Sequence, residues 1–315
     1  MHSALQPVGP RAELIADLML LFFAVSAVVY VLVIAFFVWA IMRARTRALQ
    51  LGPAATAQAD RKSRVAVGAG VALTVLTLAG LAASDFIVGG ILRQPPRDPL
   101  RILVTGHQFW WEIEYDDPAP ANRVRTANEL HIPIGRPVQL IFTSRDVIHS
   151  FWIPSAMGKM DLIPGRTTNA IIQVSRPGTF TGQCAEFCGF QHSKMRLTLH
   201  ARPPEEFDAW RQRQLAPARD PQTQTERRGQ QVFMQSSCIL CHSVQGTAAA
   251  ATVAPDLTHI ASRRTLAAGA LPNTPSDLAG WVLDPQRIKP GSRMPASRLP
   301  PDDLSALVAY LTSLQ

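Results

Sequence analysis

Residues 182–195 read GQCAEFCGFQHSKM, and the surrounding fold has to hold the potential metal ligands of this stretch together. Two thiols, an imidazole and a thioether lie close together in it: Cys184, Cys188, His192 and Met195. Thiolate, imidazole and thioether ligands together favour copper, whereas hard cations take oxygen ligands. Cysteines four residues apart allow both sulfurs to bridge two copper ions, and His149 on an earlier segment offers a second imidazole.

Two other interpretations of these cysteines explain fewer of the residues. A structural zinc site rarely recruits methionine, so Met195 argues against one. A disulfide between Cys184 and Cys188 suits an oxidising compartment but leaves His149 and His192 without a role. We therefore predict a binuclear copper site on a β scaffold.

A second motif, Cys238-Ile-Leu-Cys241-His242, has the C-x-x-C-H spacing of covalent haem attachment. The two cysteines would form thioether bonds to the haem, and His242 would be the proximal iron ligand. A thioredoxin-like pair or half of a zinc site does not call for the adjacent histidine. The chain also has no further cysteine pair with which to complete a zinc site.

The distal side of this haem has two candidate ligands. Met294 is the one methionine after His242 and lies in a loop fixed by proline and glycine. Ligation by histidine and methionine raises the haem potential and closes the iron to substrates, as electron transfer requires. His259 is the alternative, because a neutral imidazole is also a good donor to iron.

Two long apolar runs, residues 14–42 and 65–92, precede these motifs. Each exceeds the roughly 20 residues that cross a bilayer, so we predict two transmembrane helices. The loop between them, residues 43–64, is rich in arginine, which places it in the cytoplasm by the positive-inside rule. Residues 1–13 and everything after the second span then lie on the periplasmic or outer face of a bacterial plasma (inner) membrane, in a multi-pass protein.

The periodicity changes after the second span. Residues 93–203 contain short β-rich segments between Gly, Pro and Asp turns, a pattern typical of an antiparallel β-sandwich or barrel. A proline-rich linker is predicted at residues 204–225, and residues 226–315 are helical in character. The fold class is thus a multidomain membrane protein with a transmembrane hairpin, a β-sandwich or barrel and an all-α domain.

Composition excludes several classes of protein. Of the 315 residues, 17% are charged and 47% are hydrophobic, which is incompatible with intrinsic disorder. The formal charge is +8, but the basic residues form no single stripe, so nucleic acid is not an expected partner. Four cysteines in two close pairs are too few for a disulfide scaffold.

Residues 147–167, VIHSFWIPSAMGKMDLIPGRT, together with residues 182–195 resemble subunit II of the cytochrome c oxidases of the haem–copper superfamily. The resemblance covers about residues 1–203 and implies a cupredoxin domain with a binuclear CuA centre. The implied copper ligands are five side chains and one backbone carbonyl oxygen: His149, Cys184, Cys188, His192, Met195 and the carbonyl of Glu186. The carboxylate of Glu186 is implied to reach a Mg or Mn ion at the interface with subunit I.

Residues 226–315 resemble a class I cytochrome c domain, and the fusion to a CuA domain resembles the caa-type oxidases. This implies an electron-input subunit that receives electrons from a cytochrome c or a donor complex. The electrons would pass through haem c and CuA to subunit I, which would reduce oxygen to water with proton translocation in a complex that also contains subunit III. Two alternatives stay open: a CuA-containing nitric oxide reductase, and a membrane-tethered electron carrier or copper-delivery protein without a catalytic partner.

Three features depart from the family pattern or lie outside it. Residues 106–111 read GHQFWW where the family has G-H-Q-W-x-W, so Phe109 occupies the usual entry position for electrons. Entry is then rerouted through Trp110 or comes directly from the tethered haem, or Phe109, Trp110 and Trp111 are simply core and interface aromatics. The cytoplasmic segment that leads into the second span, residues 60–64, contains Asp60 and no glutamate, which puts the usual proton-channel entry in doubt. Four further histidines are expected to be ordinary polar or surface residues: His2, His107, His131 and His200.

Overall fold

The computed structural model describes residues 3–47 and 55–315, with side chains described outside residues 45–60. These residues form two compact units. One unit is Glu13–Gln94, and the other is Pro95–Gln315 together with the residues before Glu13. His2, Asp60 and the centre of the predicted cytoplasmic loop lie outside the described residues or side chains.

The first unit is built from two long helices, α1 (Pro10–Arg47) and α2 (Ala55–Arg93). Both are long and apolar enough to cross a membrane, over Pro10–Ala44 and Arg61–Arg93. Most of their large apolar side chains are exposed, which suits a surface that faces lipid.

Both helices extend past the apolar runs into the loop predicted at residues 43–64. Hydropathy locates the membrane-buried part of a helix but not its ends. The flanking alanine, arginine and glutamine residues favour helix strongly enough to continue it into the aqueous phase.

The second unit contains a β-sandwich of two five-stranded sheets. The strands of the first sheet, in spatial order, are β3 (Val124–Ala127), β2 (Trp110–Tyr115), β1 (Leu100–His107), β5 (Val138–Ser144) and β8 (Thr168–Ile172). Those of the second are β4 (Glu129–Pro133), β10 (Arg196–Arg202), β9 (Gly178–Cys184), β6 (His149–Trp152) and β7 (Met160–Leu162). The predicted sandwich is therefore confirmed.

The expectation of purely antiparallel pairing is wrong at two places. β1 pairs with β5 in parallel, and β10 pairs with β4 in parallel. Parallel neighbours need a long crossover connection, and β2–β4 and β5–β9 provide these connections. Along β5, buried and half-buried residues alternate, so one face of the strand fills the core between the sheets.

Two segments outside the strands complete the core of the sandwich. Val8 is buried there, and its N–H and C=O bond to the backbone of Ser155 and Ser175. The predicted linker begins with a helix, α3 (Pro204–Leu215), which buries Phe207 and Trp210. The sequence analysis did not predict this helix, because the segment is rich in charged residues and only two aromatic side chains anchor it.

The C-terminal domain is mainly helical: α4 (Gln224–Gln235), α5 (Pro275–Leu283), α6 (Pro285–Ile288) and α7 (Pro301–Ser313). A short antiparallel pair, β11 (Thr265–Leu266) and β12 (Leu271–Pro272), is the described exception to the all-α prediction. A Thr223–Glu226 capping box starts α4. α4 crosses α7 so closely that a Cβ on Gly229 would lie 2.0 Å from the carbonyl oxygen of Ala306.

We predict that Gly229→Ala destabilises the C-terminal domain by about 1–3 kcal/mol, because the added methyl forces α4 away from α7. Gly280→Ala in α5 is the matched control, since nothing lies within 4 Å of its Cβ position. The control should be neutral or stabilise by up to about 1 kcal/mol. Thermal unfolding of the full-length chain measures both effects, and equal midpoints for the two variants would contradict the close crossing.

Candidate metal centres

The first predicted site is assembled by the end of β9, the following loop and the start of β6. The Sγ atoms of Cys184 and Cys188 are 3.9 Å apart. The Nδ1 of His149 lies 3.9 Å from Cys184 Sγ, and the Nδ1 of His192 lies 3.7 Å from Cys188 Sγ. Met195 Sδ is 3.9 Å from Cys188 Sγ, so all five predicted side chains come together.

Strand pairing fixes these positions. β6 and β9 are antiparallel, with Phe151 opposite Cys184, which brings the first residue of β6 (His149) beside the last residue of β9. The N–H of Cys184 donates to the carbonyl of Met195, which closes the loop that carries Cys188 and His192. The carbonyl oxygen of Glu186 lies 3.2 Å from Cys184 Sγ, in the position predicted for it.

His149 is oriented by a carboxylate that the sequence analysis did not identify. Its Nε2 lies 2.9 Å from Asp146 Oδ1, so that nitrogen donates to Asp146 and Nδ1 is left facing the sulfurs. A carboxylate behind a metal-binding imidazole fixes its tautomer and raises its basicity. Gly106 makes room for the ring, because a Cβ there would lie 2.7 Å from His149 Cδ2.

The two cysteines affect each other's ionisation. A hydrogen bond from the Cys188 thiol lowers the pKa of Cys184, and the resulting Cys184 thiolate raises the pKa of Cys188. Burial alone would raise the pKa of Asp146. Hydrogen bonds from His149 and from the N–H groups of Gln108 and Val147 instead lower it to about 2.

The donor set fits a copper pair. Two sulfurs 3.9 Å apart can both bond to one ion at about 2.3 Å, the length of a metal–thiolate bond. The remaining side-chain donors are imidazole and thioether, which are softer than the oxygen ligands that hard cations take. His149, Cys184 and Cys188 also form one of the two groups of described residues whose ligand atoms lie within 4.8 Å of one another.

The second site has the geometry of a haem ligand on its proximal side. His242 Nδ1 lies 2.7 Å from the carbonyl oxygen of Pro255, so Nδ1 carries the proton and Nε2 keeps a lone pair for iron. Burial lowers the pKa of His242, which keeps the ring neutral. Cys238 and Cys241 are half-buried, so their sulfurs are accessible for the predicted thioether bonds.

Met294 lies in a loop held by one amide side chain. Gln286 Nε2 donates to the carbonyl oxygens of Met294 and Ser292, and Gln286 Oε1 accepts from the N–H of Gly291. Gly291 has φ +81, which only glycine adopts without strain. Met294 packs, half-buried, against the hydrophobic core of this domain.

His259 is placed differently from an iron ligand. Its Nδ1 lies 2.7 Å from the carbonyl oxygen of Gln315, and its Nε2 lies 3.1 Å from that of Ala216. Both nitrogens face backbone carbonyls, so His259 ties the end of the chain to the segment after α3. These contacts argue against His259 as an iron ligand, and Met294 remains the predicted distal ligand.

The three aromatics at residues 109–111 have different surroundings. Trp111 is fully buried, and its ring meets His149 edge-on at 5.9 Å. Phe109 is also buried, whereas Trp110 is half-buried and stacks on His107 at 4.3 Å. Trp111 is therefore the aromatic in contact with a predicted copper ligand.

His107, His131 and His200 were expected to be ordinary polar or surface residues, and a surface position is wrong for all three, because they are buried among polar partners. His107 Nε2 lies 3.0 Å from a carboxylate oxygen of Glu112. His131 and His200 are opposite each other on the parallel strands β4 and β10, with their rings stacked at 4.5 Å. Alternation along β4 and β10 puts these two histidines side by side only when the strands are parallel neighbours. The sequence analysis did not predict that pairing.

Glu129 completes this pair of histidines as a second cluster with metal-ligating residue types. Its Oε2 lies 3.6 Å from His131 Nε2 and 3.8 Å from His200 Nε2. However, Arg202 Nε donates to His131 Nδ1, so His131 Nε2 carries its proton and has no lone pair for a metal. This cluster is therefore a buried network of polar and charged contacts.

Comparisons with known proteins assign a family to each of the two domains. Residues 118–202 match the family model of the cytochrome c oxidase subunit II periplasmic domain, and residues 226–315 match that of cytochrome c. Cytochrome c oxidase subunit 2 of Alkalihalophilus pseudofirmus is 35% identical over 99% of this chain and 91% of its own length. That of Bacillus sp. strain PS3 is 31% identical over 68% of this chain and 62% of its own length.

One solved structure is also similar in part. The periplasmic domain of subunit II of the Bradyrhizobium japonicum cytochrome oxidase is 28% identical and covers 38% of this chain and 95% of that one, with a TM-score of 0.36. Because this score is low, the family assignment rests on the sequence matches.

Fold and sites together define a membrane-anchored electron-transfer protein with a cupredoxin-type domain and a cytochrome c domain on the periplasmic side. The chain belongs to the cytochrome c oxidase subunit II family. Its cytochrome c domain matches the fusion expected of a caa-type oxidase, in which this subunit is the electron input.

We predict that Asp146→Asn weakens copper binding about 10–100-fold, because His149 loses its anionic hydrogen-bond acceptor. Competition with a copper chelator, followed by copper spectroscopy on the full-length chain, measures the change. Asp208→Asn, an exposed carboxylate on α3, is the control and should bind copper like the wild type. Equal affinities for the two variants would exclude Asp146 from any part in holding the site.

The Glu129 network predicts loss of stability in acid. Burial, with the nearby charges of His131, Arg202 and Arg264, lowers the pKa of His200 to about 4 against an opposing effect of Glu129. As the pH falls from 6.5 to about 4, the unfolded chain binds a proton at His200 that the folded chain excludes, so unfolding is favoured.

At the acid end of this pH range, His200 lowers the free energy of unfolding by about 3 kcal/mol. The His200→Phe variant keeps a ring beside His131 but cannot bind the proton. Its thermal midpoint should decline less with acidification than that of the wild type. Parallel declines would show that His200 does not titrate in this way.

Proposed function

We propose that this chain takes electrons from a cytochrome c onto a single covalent haem c and passes them through a binuclear CuA centre to the catalytic subunit. When bound, these two groups supply one-electron transfer without bond making. The chain's own residues bind them, exclude water and hold their separation. Oxygen reduction to water and proton translocation then take place in the partner subunit.

In this proposal the copper ions are held by His149, Cys184, Cys188, His192 and Met195, with the carbonyl of Glu186. The convergence of these five side chains at 3.7–3.9 Å is the observation that carries the proposal. A scaffold of paired strands keeps the ligands in place in both oxidation states, which minimises the rearrangement that accompanies electron transfer.

The haem is proposed to be attached at Cys238 and Cys241 and ligated by His242 and Met294. The hydrogen bond from His242 to Pro255 and the Gln286 hydrogen bonds at the Met294 loop support these roles. Electron transfer within the chain is supported by a contact between a residue next to the haem site and a residue next to the copper site. Arg293, next to Met294, lies 3.4 Å from Asp146, which in turn orients His149.

Exposed aromatics support a partner surface at the copper loop. Phe187 and Phe190 are 77% and 90% exposed and flank Cys188. Large apolar side chains at such exposure mark interaction sites, and we propose that the catalytic subunit I covers them. The half-exposed Glu186 carboxylate is proposed to reach a Mg or Mn ion at this interface, with subunit III elsewhere in the complex.

The proposed orientation places both termini and both redox domains on the periplasmic face of the bacterial plasma membrane. The two apolar helices and the arginine-rich segment between them support it. A cytochrome c tethered in this way has an effective concentration of about mM at the copper site, so weak docking between the domains suffices.

Turnover of the intact complex tests the proposal. The tagged chain is purified with its partners from the native membrane, and uptake of oxygen and of nitric oxide is measured with reduced cytochrome c. We expect rapid oxygen uptake, which Cys188→Ser abolishes while the haem spectrum stays unchanged. Nitric oxide uptake without oxygen uptake, or purification of the chain without any partner, would contradict the proposal.

A further inference from the structure

Lys289 is the most deeply buried lysine side chain among the described residues, with 2% of its surface exposed. Its Nζ donates to the carbonyl oxygen of Phe109 at 2.7 Å and to that of Ala267 at 2.9 Å. Burial lowers the pKa of this amine to about 7. Burial of an amine costs free energy unless the amine is hydrogen-bonded, and these two hydrogen bonds offset that cost.

The two acceptors belong to different domains. Ala267 lies in the turn between β11 and β12 of the cytochrome c domain, whereas Phe109 lies between β1 and β2 of the sandwich. Lys289 itself follows α6 and precedes the Met294 loop. Its amine therefore joins the loop that carries the proposed distal ligand to the domain that carries the copper ligands.

Neighbouring contacts strengthen the same junction. Lys194 Nζ, next to Met195, donates to the carbonyl oxygen of Ile288 at 2.7 Å. The N–H of Arg196 donates to the carbonyl oxygen of Ala268 at 3.1 Å. Both bonds join the sandwich to residues adjacent to Lys289 or Ala267, so the junction is continuous over the copper loop.

The sandwich side of the junction leads directly to the copper ligands. Phe109 follows Gln108, whose side-chain Nε2 donates to the carbonyl oxygen of Cys188 at 2.7 Å. The N–H of Gln108 also donates to Asp146, the carboxylate behind His149. A bonded path of few steps thus runs from Lys289 through Phe109 and Gln108 to Cys188.

We propose that Lys289 is a positioning residue for electron transfer within the chain. It holds the Met294 loop on the 108–109 segment, and it thereby fixes the separation of the haem and copper sites. The proposal rests on the proposed function above and assigns the entry of electrons to the peptide at Phe109, with no need for a tryptophan at that position. One electron leaves the haem site and one arrives at the copper site, with no proton or bond transferred.

The test compares Lys289→Met, which has a similar length but no N–H donor, with Arg287→Met, which removes an exposed cation two residues away. Both variants are made in the intact complex. Hydrogen–deuterium exchange reports protection of residues 106–111 and 264–269. Photoreduction of the haem by an attached ruthenium complex then gives the rate of electron transfer to copper.

We expect Lys289→Met to slow this transfer about tenfold, because the variant loses the Lys289 hydrogen bond to Phe109 that joins the two domains. Exchange should rise in both segments, while the haem and copper spectra remain those of the wild type. Arg287→Met should match the wild type in every readout. Lys289→Gln, which restores one N–H donor, should recover part of both the protection and the rate.

Two results would overturn the inference. A wild-type rate in Lys289→Met shows that its hydrogen bonds do not set the separation, and unchanged exchange shows that they do not hold the junction. If the wild-type complex itself shows no transfer from haem to copper, the proposed function fails instead. The exchange measurement still reports the role of Lys289 at the junction in that case.

Discussion

The pairing of β6 with β9 is the constraint on which the copper-ligand cluster and its junction with the cytochrome c domain depend. It places His149 beside Cys184 at one end of the sandwich, and the loop that follows β9 then has to fold back to bring in Cys188, His192 and Met195. The same end of the sandwich presents Phe109 and Asp146 to the cytochrome c domain. The copper-ligand cluster and the contact surface for the cytochrome c domain therefore lie at one end of the sandwich.

At this end of the sandwich, the carboxylate of Asp146 contacts both the candidate copper site and the cytochrome c domain. Asp146 receives hydrogen bonds from His149 and from two backbone N–H groups, and it also faces Arg293 of the cytochrome c domain. A single buried carboxylate therefore serves the imidazole on one side and the docked domain on the other. Glu129 also contacts both domains. It accepts a hydrogen bond from the N–H of Arg264 in the cytochrome c domain, and it faces two buried histidines of the sandwich.

The sequence identifies the candidate ligands more readily than the residues that orient them. Cys184 to Met195 and Cys238 to His242 are local motifs, so residue type and spacing are sufficient to find them. Asp146 and Gln108 are 38 residues apart, Gln108 and Cys188 are 80 apart, and Phe109 and Lys289 are 180 apart. Such contacts depend on strand order and domain docking, which no local pattern encodes. The parallel pairing of β4 with β10 likewise hid the burial of His131 and His200.

Elemental analysis of the purified full-length chain tests the central claim most directly. The account predicts a pair of copper ions and a single iron for each chain, with the iron in a haem that stays attached after denaturation. Cys184→Ser should remove the copper and leave the iron. A single copper ion, zinc in place of copper, or a haem that dissociates on denaturation would contradict the assignment of these two sites.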